Sequence, residues 1–317
     1  MASESELSLA WNVCTRSQWD AFLCQVGKTP LEQSWAYGDA MTTHYGQTVE
    51  RIVIQKNSQP VAILQVLHKP LFGFASIMRL VRGPVFLEKP TDDLRYEVYR
   101  AIHDVFPFRR WKAPLWSPEE PDKPESHLLM NRIGTRRMVT GLSSAWLDLS
   151  LDEDTLMRQM TGAWRNALRS AEKGGTSVVV EDVARVLPDL MEDYDNFRKG
   201  KRFVGPPGQF ITAMADVDEG AGQNVVAPSA HVAGKRIAGM VLIRHGLSAT
   251  YFVSWTSDAG RQRKAHNLLL WHGIQQLKHK GTLWLELGGL NTVSAAGIAR
   301  FKLGLNPEPF TLAGTYL

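Results

Sequence analysis

Between Arg51 and Lys69 the chain reads RIVIQKNSQPVAILQVLHK, two mostly apolar stretches on either side of a polar turn at Lys56-Asn57-Ser58. That pattern predicts two strands joined as a hairpin. A third apolar strand is predicted at 78–87, then a helix from about Thr91 to Val105 and a strand at 109–116. The same order returns in the second half. Residues 230–255 read as strand, Gly-Lys turn, strand, His-Gly turn and strand, followed by a helix from about Arg261 to Lys280 and a strand at 282–288. Helical stretches precede both copies, at 31–45 in the first and at 153–173 and 185–199 in the second. Identity between the copies is negligible, so the repetition is one of element order. It predicts an α+β chain of two tandem units, each a mixed sheet flanked by helices.

The division is expected near residue 145, giving units at 1–144 and 145–317. There AWLDLS alternates like a strand, and SLDE at 150–153 has the form of a capping box that opens a helix. Residues 117–135, rich in proline and charge, read as a loop.

Composition narrows the classes. With 317 residues, 44% apolar and 21% charged, the chain is expected to be globular with room for two cores. Lysine and arginine number 36 against 32 acidic residues, and the net charge of +4 suits an anionic partner. Cys14 and Cys24 lack metal-ligand spacing and fit a reducing compartment. The opening residues carry no basic segment followed by a long apolar run, and no stretch is long enough to span a bilayer. A cytoplasmic location is expected, with peripheral membrane association left open. The chain has no G-x-S-x-G elbow, Walker loop, H-E-x-x-H or paired C-x-x-C, and no metal site is expected.

Several stretches could carry chemistry. On a helix spanning 153–173, Arg158, Arg165, Arg169 and Lys173 would share one narrow stripe. Stacked cations repel one another, so the stripe would either face an anion or be neutralised by carboxylates from elsewhere. The stretch RKGKRFVGPPGQF, 198–210, places four cations before a Gly-Pro-Pro-Gly turn, with Phe203 and Phe210 as apolar anchors. It is either a cover over a binding cleft or an exposed connector. Trp35 and Tyr37 could stack on a ligand or pack in a core. His272, inside an apolar helix, reads as a core residue. Arg261, Gln262 and Arg263 would open the helix at 261–280, where free amides and the dipole attract anions. Near the C-terminus, GIARFKLGL sets Lys302 beside Phe301 and Arg300; taken alone, it could be a solvated helix end.

The segments PLEQSWAYGDA, WRNALRSAEKGG, NLLLWHGIQQLKHKG, ELGG and GIARFKLGL…GTY occur here in the order found in the Fem-type peptidyltransferases, within the wider group of doubled GNAT-fold acyltransferases. The resemblance runs from about Pro30 to Tyr316. It implies two tandem GNAT-like domains, with the tail from about 291 packing back on the first. It also implies transfer of an acyl or aminoacyl group from acyl-CoA or aminoacyl-tRNA to an amine acceptor, with no tightly bound cofactor. Cell-envelope, polysaccharide or natural-product biosynthesis are the settings it suggests.

Carried over to this chain, the resemblance assigns Lys302 and Phe301 to the donor carbonyl, where Lys302 would stabilise developing charge. Donor contacts are expected from Arg261, Gln262, Arg263, Asn267 and Arg300. Acceptor contacts are expected from Trp35, Tyr37, Arg165, Arg169, Phe203, Tyr251 and Trp255. Two departures stand out. Lys264 occupies the first glycine position of the pyrophosphate loop of CoA-dependent members, and Glu286 stands where an aspartate is expected. The long coiled-coil arm of some Fem members is absent. The rival expectation is a non-catalytic doubled module that binds tRNA or a protein partner.

Overall fold

The computed structural model describes residues 6–71, 75–108, 112–180, 183–216 and 223–317. The chain begins with β1 (Leu7–Trp11), α1 (Arg16–Leu23) and α2 (Trp35–Tyr45). Strands β2 (Thr48–Lys56), β3 (Gln59–Pro70), β4 (Ser76–Val81) and β5 (Val85–Phe86) follow. Next come α3 (Asp92–Val105), β6 (Lys112–Ser117), α4 (Pro124–Arg132) and β7 (Arg137–Val139).

The second half opens with β8 (Ser143–Asp148), α5 (Glu153–Gln159), α6 (Gly162–Lys173) and β9 (Ser177–Val179). Helices α7 (Val183–Gly200) and α8 (Gly208–Asp216) lead to β10 (Val225–Val226), β11 (Ser229–Val232), β12 (Lys235–His245) and β13 (Ser248–Thr256). Then come α9 (Asp258–Gln262), α10 (Ala265–His279), β14 (Trp284–Glu286) and α11 (Ala296–Leu303). Strands β15 (Glu308–Thr311) and β16 (Thr315–Tyr316) close the chain.

Two compact units result. The first comprises Met1–Ser143 with Phe310–Leu317, and the second comprises Ser144–Pro309. The first holds an eight-stranded sheet in the order β1-β2-β3-β4-β6-β16-β7, with β5 beside β3. The second sheet, also of eight strands, runs β15-β8-β14-β13-β12-β11-β9, with β10 beside β12. Each unit contains a parallel pair, β4 with β6 in the first and β13 with β14 in the second. Parallel neighbours need a crossover, supplied by α3 in the first unit and by α9 and α10 in the second. The repeated order read from the sequence is therefore a repeated topology.

Each sheet buries a core against its helices, and the first packs a second one around Trp19 and Leu23 of α1. In the first unit Val98, Tyr99 and Ile102 of α3 and Leu129 and Met130 of α4 pack on Ile52, Leu64 and Leu80. In the second, Trp164 and Leu168 of α6 and Leu268, Leu269 and Ile274 of α10 pack on Met240, Leu242 and Leu285.

Local chemistry redraws several predicted elements. The helix expected over 153–173 is two helices, because Met160 leaves helical geometry (ψ 149°) and the Thr161 hydroxyl accepts the amide of Trp164, capping a new helix. Arg158 therefore does not share a helix with Arg165 and Arg169. The first of these helices is capped by Asp152, which accepts from Thr155 N at 2.8 Å, and not by Ser150. Residues 117–135 are not all loop: Pro124, at the first helical turn where its missing N–H costs nothing, opens α4.

The strand expected at 78–87 breaks after Val81, where Arg82 takes φ +55° and β5 then pairs with β3. Buried Arg82 donates from Nε and Nη2 to Glu119, each at 2.7 Å. The helix expected over 261–280 is interrupted at Lys264, which adopts φ 55° and divides α9 from α10. The strand expected at 109–116 begins, among the described residues, at Lys112; residues 109–111 lie outside them.

Candidate active site

In the second unit the sheet opens along its parallel pair. Strands β13 and β14 are in register only from Ser248↔Trp284 to Thr250↔Glu286, while β13 runs on to Thr256. The chain after Glu286 stays with β8 instead. Leu287 N donates to Ala145 O at 2.9 Å, and Ser144 Oγ donates to Gly288 O at 3.0 Å. Parallel strands that part at their carboxyl ends leave backbone and side chains of both lips facing one crevice.

Lys302, in the last turn of α11, reaches the far lip. It is 6% exposed, so it is not a solvated helix end. Its Nζ donates to Gly289 O at 2.9 Å and stands 5.3 Å from the centre of the Tyr251 ring. Burial pulls its pKa down to about 8, and the Glu286 carboxylate opposes that shift. The tyrosine hydroxyl donates to Ser254 Oγ at 2.6 Å, and burial raises its pKa to about 12.

Gly288 completes the lip. It has φ +69°, and a Cβ there would lie 3.0 Å from Tyr251 O and 3.6 Å from Lys302 Nζ. Gly288→Ala is therefore expected to cost about 1–2 kcal/mol through the left-handed backbone alone, lowering the melting temperature measured by circular dichroism. An unchanged melting temperature would show that the turn relaxes.

The neighbouring residues act as a wall. Phe301 is half-buried; its ring lies 6.1 Å from that of Trp164, whose Nε1 donates to Phe301 O at 3.1 Å. His266 places its ring 6.1 Å from Phe301 and its Nε2 3.1 Å from Trp255 O. Desolvation lowers the pKa of His266, and the Trp255 carbonyl opposes that change. Trp255 is buried, and its Nε1 has no hydrogen-bond partner among the described residues.

The expected donor residues are differently placed. Arg261 and Gln262 belong to the short α9, not to the start of the long helix. The Arg261 side chain pairs with Asp258 and donates to Thr256 O, and Arg263 donates to Gly174 O. The amides around them are committed within the chain. Gly260 N donates to Ser257 Oγ, Arg261 N to Ser257 O, Arg263 N to Ala259 O and Lys264 N to Arg261 O. Asn267 is buried in α10, and its amide donates to Lys264 O. Arg300 is exposed and lines a groove of about 410 Å³ with Thr161, Thr292, Ala296, Ala299, Leu303 and Gly304.

Among the expected acceptor residues, Tyr251 and Trp255 lie along β13. Arg165 donates to Arg158 O and Met160 O, closing the end of α5, and Arg169 is exposed on α6. Phe203 is 52% exposed beyond the end of α7. In the first unit Trp35 lies beneath Arg51, whose Cζ is 3.5 Å from the ring centre. Tyr37 is half-buried, with its phenol pKa raised by burial and then by Glu32. Sequence reasoning left out Glu286 and Ser144. A glutamate inside the apolar run TLWLELG was the visible signal for the first, and nothing in the sequence marked the second. Among the described residues no group of His, Cys, Asp or Glu could hold a metal ion.

A doubled GNAT-type α+β fold, with an opened parallel pair in its second unit, is the class these features define. Residues 158–303 match the family model described as an acetyltransferase (GNAT) domain. Among solved structures, FemX superposes with a TM-score of 0.77 at 12% identity, covering 97% of this chain and 96% of that one. A tandem GNAT protein from the clavulanic acid biosynthesis pathway gives 0.54 at 12% identity, covering 98% of both chains. L-PGS from Bacillus licheniformis gives 0.55 at 15% identity, covering 95% of this chain and 90% of that one. Comparison with curated protein sequences finds no match. The matched domain is described as an acetyltransferase, and the doubled fold agrees with the one implied by the resemblance read from the sequence.

Proposed function

We propose that the protein transfers an acyl or aminoacyl group from an activated donor to an amine, with the reacting carbonyl held at the crevice between β13 and β14. The observation that carries this reading is a buried lysine at the lip of that crevice. Aminolysis converts a planar carbonyl into a tetrahedral oxyanion before the donor's leaving group departs. A preorganised, partly desolvated cation stabilises that oxyanion more than a solvated one can. Lys302 has that character, Tyr251 and Gly288 fix its surroundings, and Phe301 walls the site. The amine loses its proton to solvent or to the leaving group, so no protein base is required.

Between the two donor classes, Lys264 in the first glycine position and the committed amides of Gly260, Arg261, Arg263 and Lys264 favour an aminoacyl ester, as in aminoacyl-tRNA, over acyl-CoA. A CoA pyrophosphate would need free amides at that turn. The same filled turn is what a non-catalytic tRNA- or protein-binding module would show. A search for transfer distinguishes the two: the purified chain is incubated with charged tRNA or acyl-CoA and a set of amines, and the N-acyl product is sought by mass spectrometry. We place the reaction in the cytoplasm, in envelope, polysaccharide or natural-product synthesis; the last setting draws on the clavulanic acid relative.

The protonated form of Lys302 is the one that attracts an oxyanion. With a pKa near 8, the rate advantage of wild type over Lys302→Ala is expected to hold steady below that pH and to fall as pH rises through it, whatever the titration of the acceptor amine adds to both. A ratio of single-turnover rates that stays flat to pH about 10, where an ordinary lysine titrates, would remove the ammonium from the mechanism.

A further inference from the structure

One end of the first unit's sheet carries exposed residues that form no part of the crevice between β13 and β14. The pairing sets Pro70 beside Ser76 and Ser76 beside Lys112, so the end of β3 and the starts of β4 and β6 are neighbours. This is the end where β4 and β6 begin. Apolar side chains stand in solvent just after β3 and ahead of β6: Leu71 is 47% exposed, Val105 43% and Phe108 62%. Lys69 and Lys112 flank them and are exposed. Neither lysine pairs with a carboxylate among the described residues, and the nearby Asp104 is engaged by Arg100.

Aliphatic and aromatic side chains with long basic ones, at the ends of strands and of a helix, have the chemistry of a membrane–water interface. Rings rest at the level of the headgroups, and lysine stems lie along apolar surface while their ammonium groups reach phosphate. A nucleic-acid surface would use the cations and the rings but would gain nothing from Leu71 and Val105. A folded protein partner would need a broad complementary face, which two short segments do not offer. No helix among the described residues is long and apolar enough to cross a membrane, so a surface contact is the form of association the chain can make through this end.

We propose that this end of the first unit docks on an anionic bilayer, with Leu71, Val105 and Phe108 entering the headgroup layer and Lys69 and Lys112 meeting lipid phosphates. The inference stands apart from the transfer reaction, and its test does not involve activity.

The full chain is sedimented with vesicles of phosphatidylcholine alone and of phosphatidylcholine with phosphatidylglycerol, at low and at physiological salt. Binding is expected with the anionic vesicles, weaker with rising salt, and slight with the neutral ones. The double substitution L71S/F108S is expected to lower the partition constant about tenfold or more. K69E/K112E is expected to lower it at least as far, since each lysine contributes about fivefold near an anionic surface. Circular dichroism checks that the variants fold. Should L71S/F108S not fold, Phe108→Ser alone, at a mostly exposed position, carries the same expectation. Wild-type protein that stays in the supernatant with anionic vesicles at low salt overturns the proposal. So does an L71S/F108S variant that binds like the wild type. Lipid-independent self-association that L71S/F108S abolishes, with vesicle binding unchanged, would overturn it in favour of an interface between two copies of the chain.

Discussion

Replacing Lys302 with alanine is expected to lower single-turnover transfer about 100- to 1000-fold while leaving the fold intact, the range found when one oxyanion-stabilising group is lost. The expectation follows from burial and position together. An exposed lysine at a helix end would be screened by water and worth little to a developing charge. Here Nζ is held by Gly289 O beneath the lip of the crevice, so its field would reach a carbonyl held there, as proposed, largely unscreened. Lys302→Arg should restore only part of the rate, since a planar fork cannot take the place of an ammonium fitted between a carbonyl and the Tyr251 ring. Lys302→Met controls for packing, because it keeps most of the side-chain volume and discards the charge. If alanine, methionine and wild type transfer at comparable rates, Lys302 is a buried structural lysine and the reaction must be located elsewhere.

The second large effect concerns stability. Gly141→Ala is expected to destabilise the first unit by at least about 3 kcal/mol, because the added Cβ would overlap the backbone carbonyl of Leu312. Backbone cannot swing aside as a side chain tip can. The neighbouring contacts leave little slack: Leu312 N donates to Leu142 O at 2.9 Å, and Ala313 N donates to Glu120 O at 2.8 Å. Displacing Leu312 pulls on β16 and on Tyr316, which is fully buried and whose hydroxyl lies 2.6 Å from His127 Nδ1. Losing a large buried ring typically costs about 3–5 kcal/mol, which sets the scale. Gly200→Ala is the matched control, since a Cβ there meets nothing within 4 Å. Urea titration, with limited proteolysis near residue 312, would measure both. Equal stability of the two variants would mean that the clamp on the tail is soft.

The tandem arrangement was legible because strand runs such as 51–69 and 235–256 are long, apolar and separated by turns whose chemistry is unambiguous. Breaks inside helices were not. Around Met160 and Thr161 the apolar spacing continues on both sides, so periodicity cannot show that a threonine has begun a second helix. Lys264 takes a left-handed backbone that a lysine rarely adopts, and a pattern reading has no reason to expect it there. That single residue moved Arg261 and Gln262 away from the start of the long helix. At the site, the segment around Lys302 could be singled out by resemblance, but burial could not be read from an eight-residue helix with a cation in its last turn. Glu286 was visible as a charge in an apolar strand. Its effect on Lys302 depends on where β13 and β14 part, and register is a tertiary property.

The position of β16 between β6 and β7 bears on how the chain comes to exist at all. A ribosome delivers residues in order, and N-terminal domains commonly fold while later ones are still being made. Here that order cannot be completed, because the first sheet keeps a vacant slot until residues encoded after the entire second unit emerge. Tyr316 pairs with Trp116, far away along the chain, the kind of long-range contact that slows folding. The first-made half must therefore wait, with β6 and β7 unjoined, for the strand that unites them. A nascent chain stalled before residue 315 would present those strands unpaired, a state that invites capture by chaperones or by strands of other molecules.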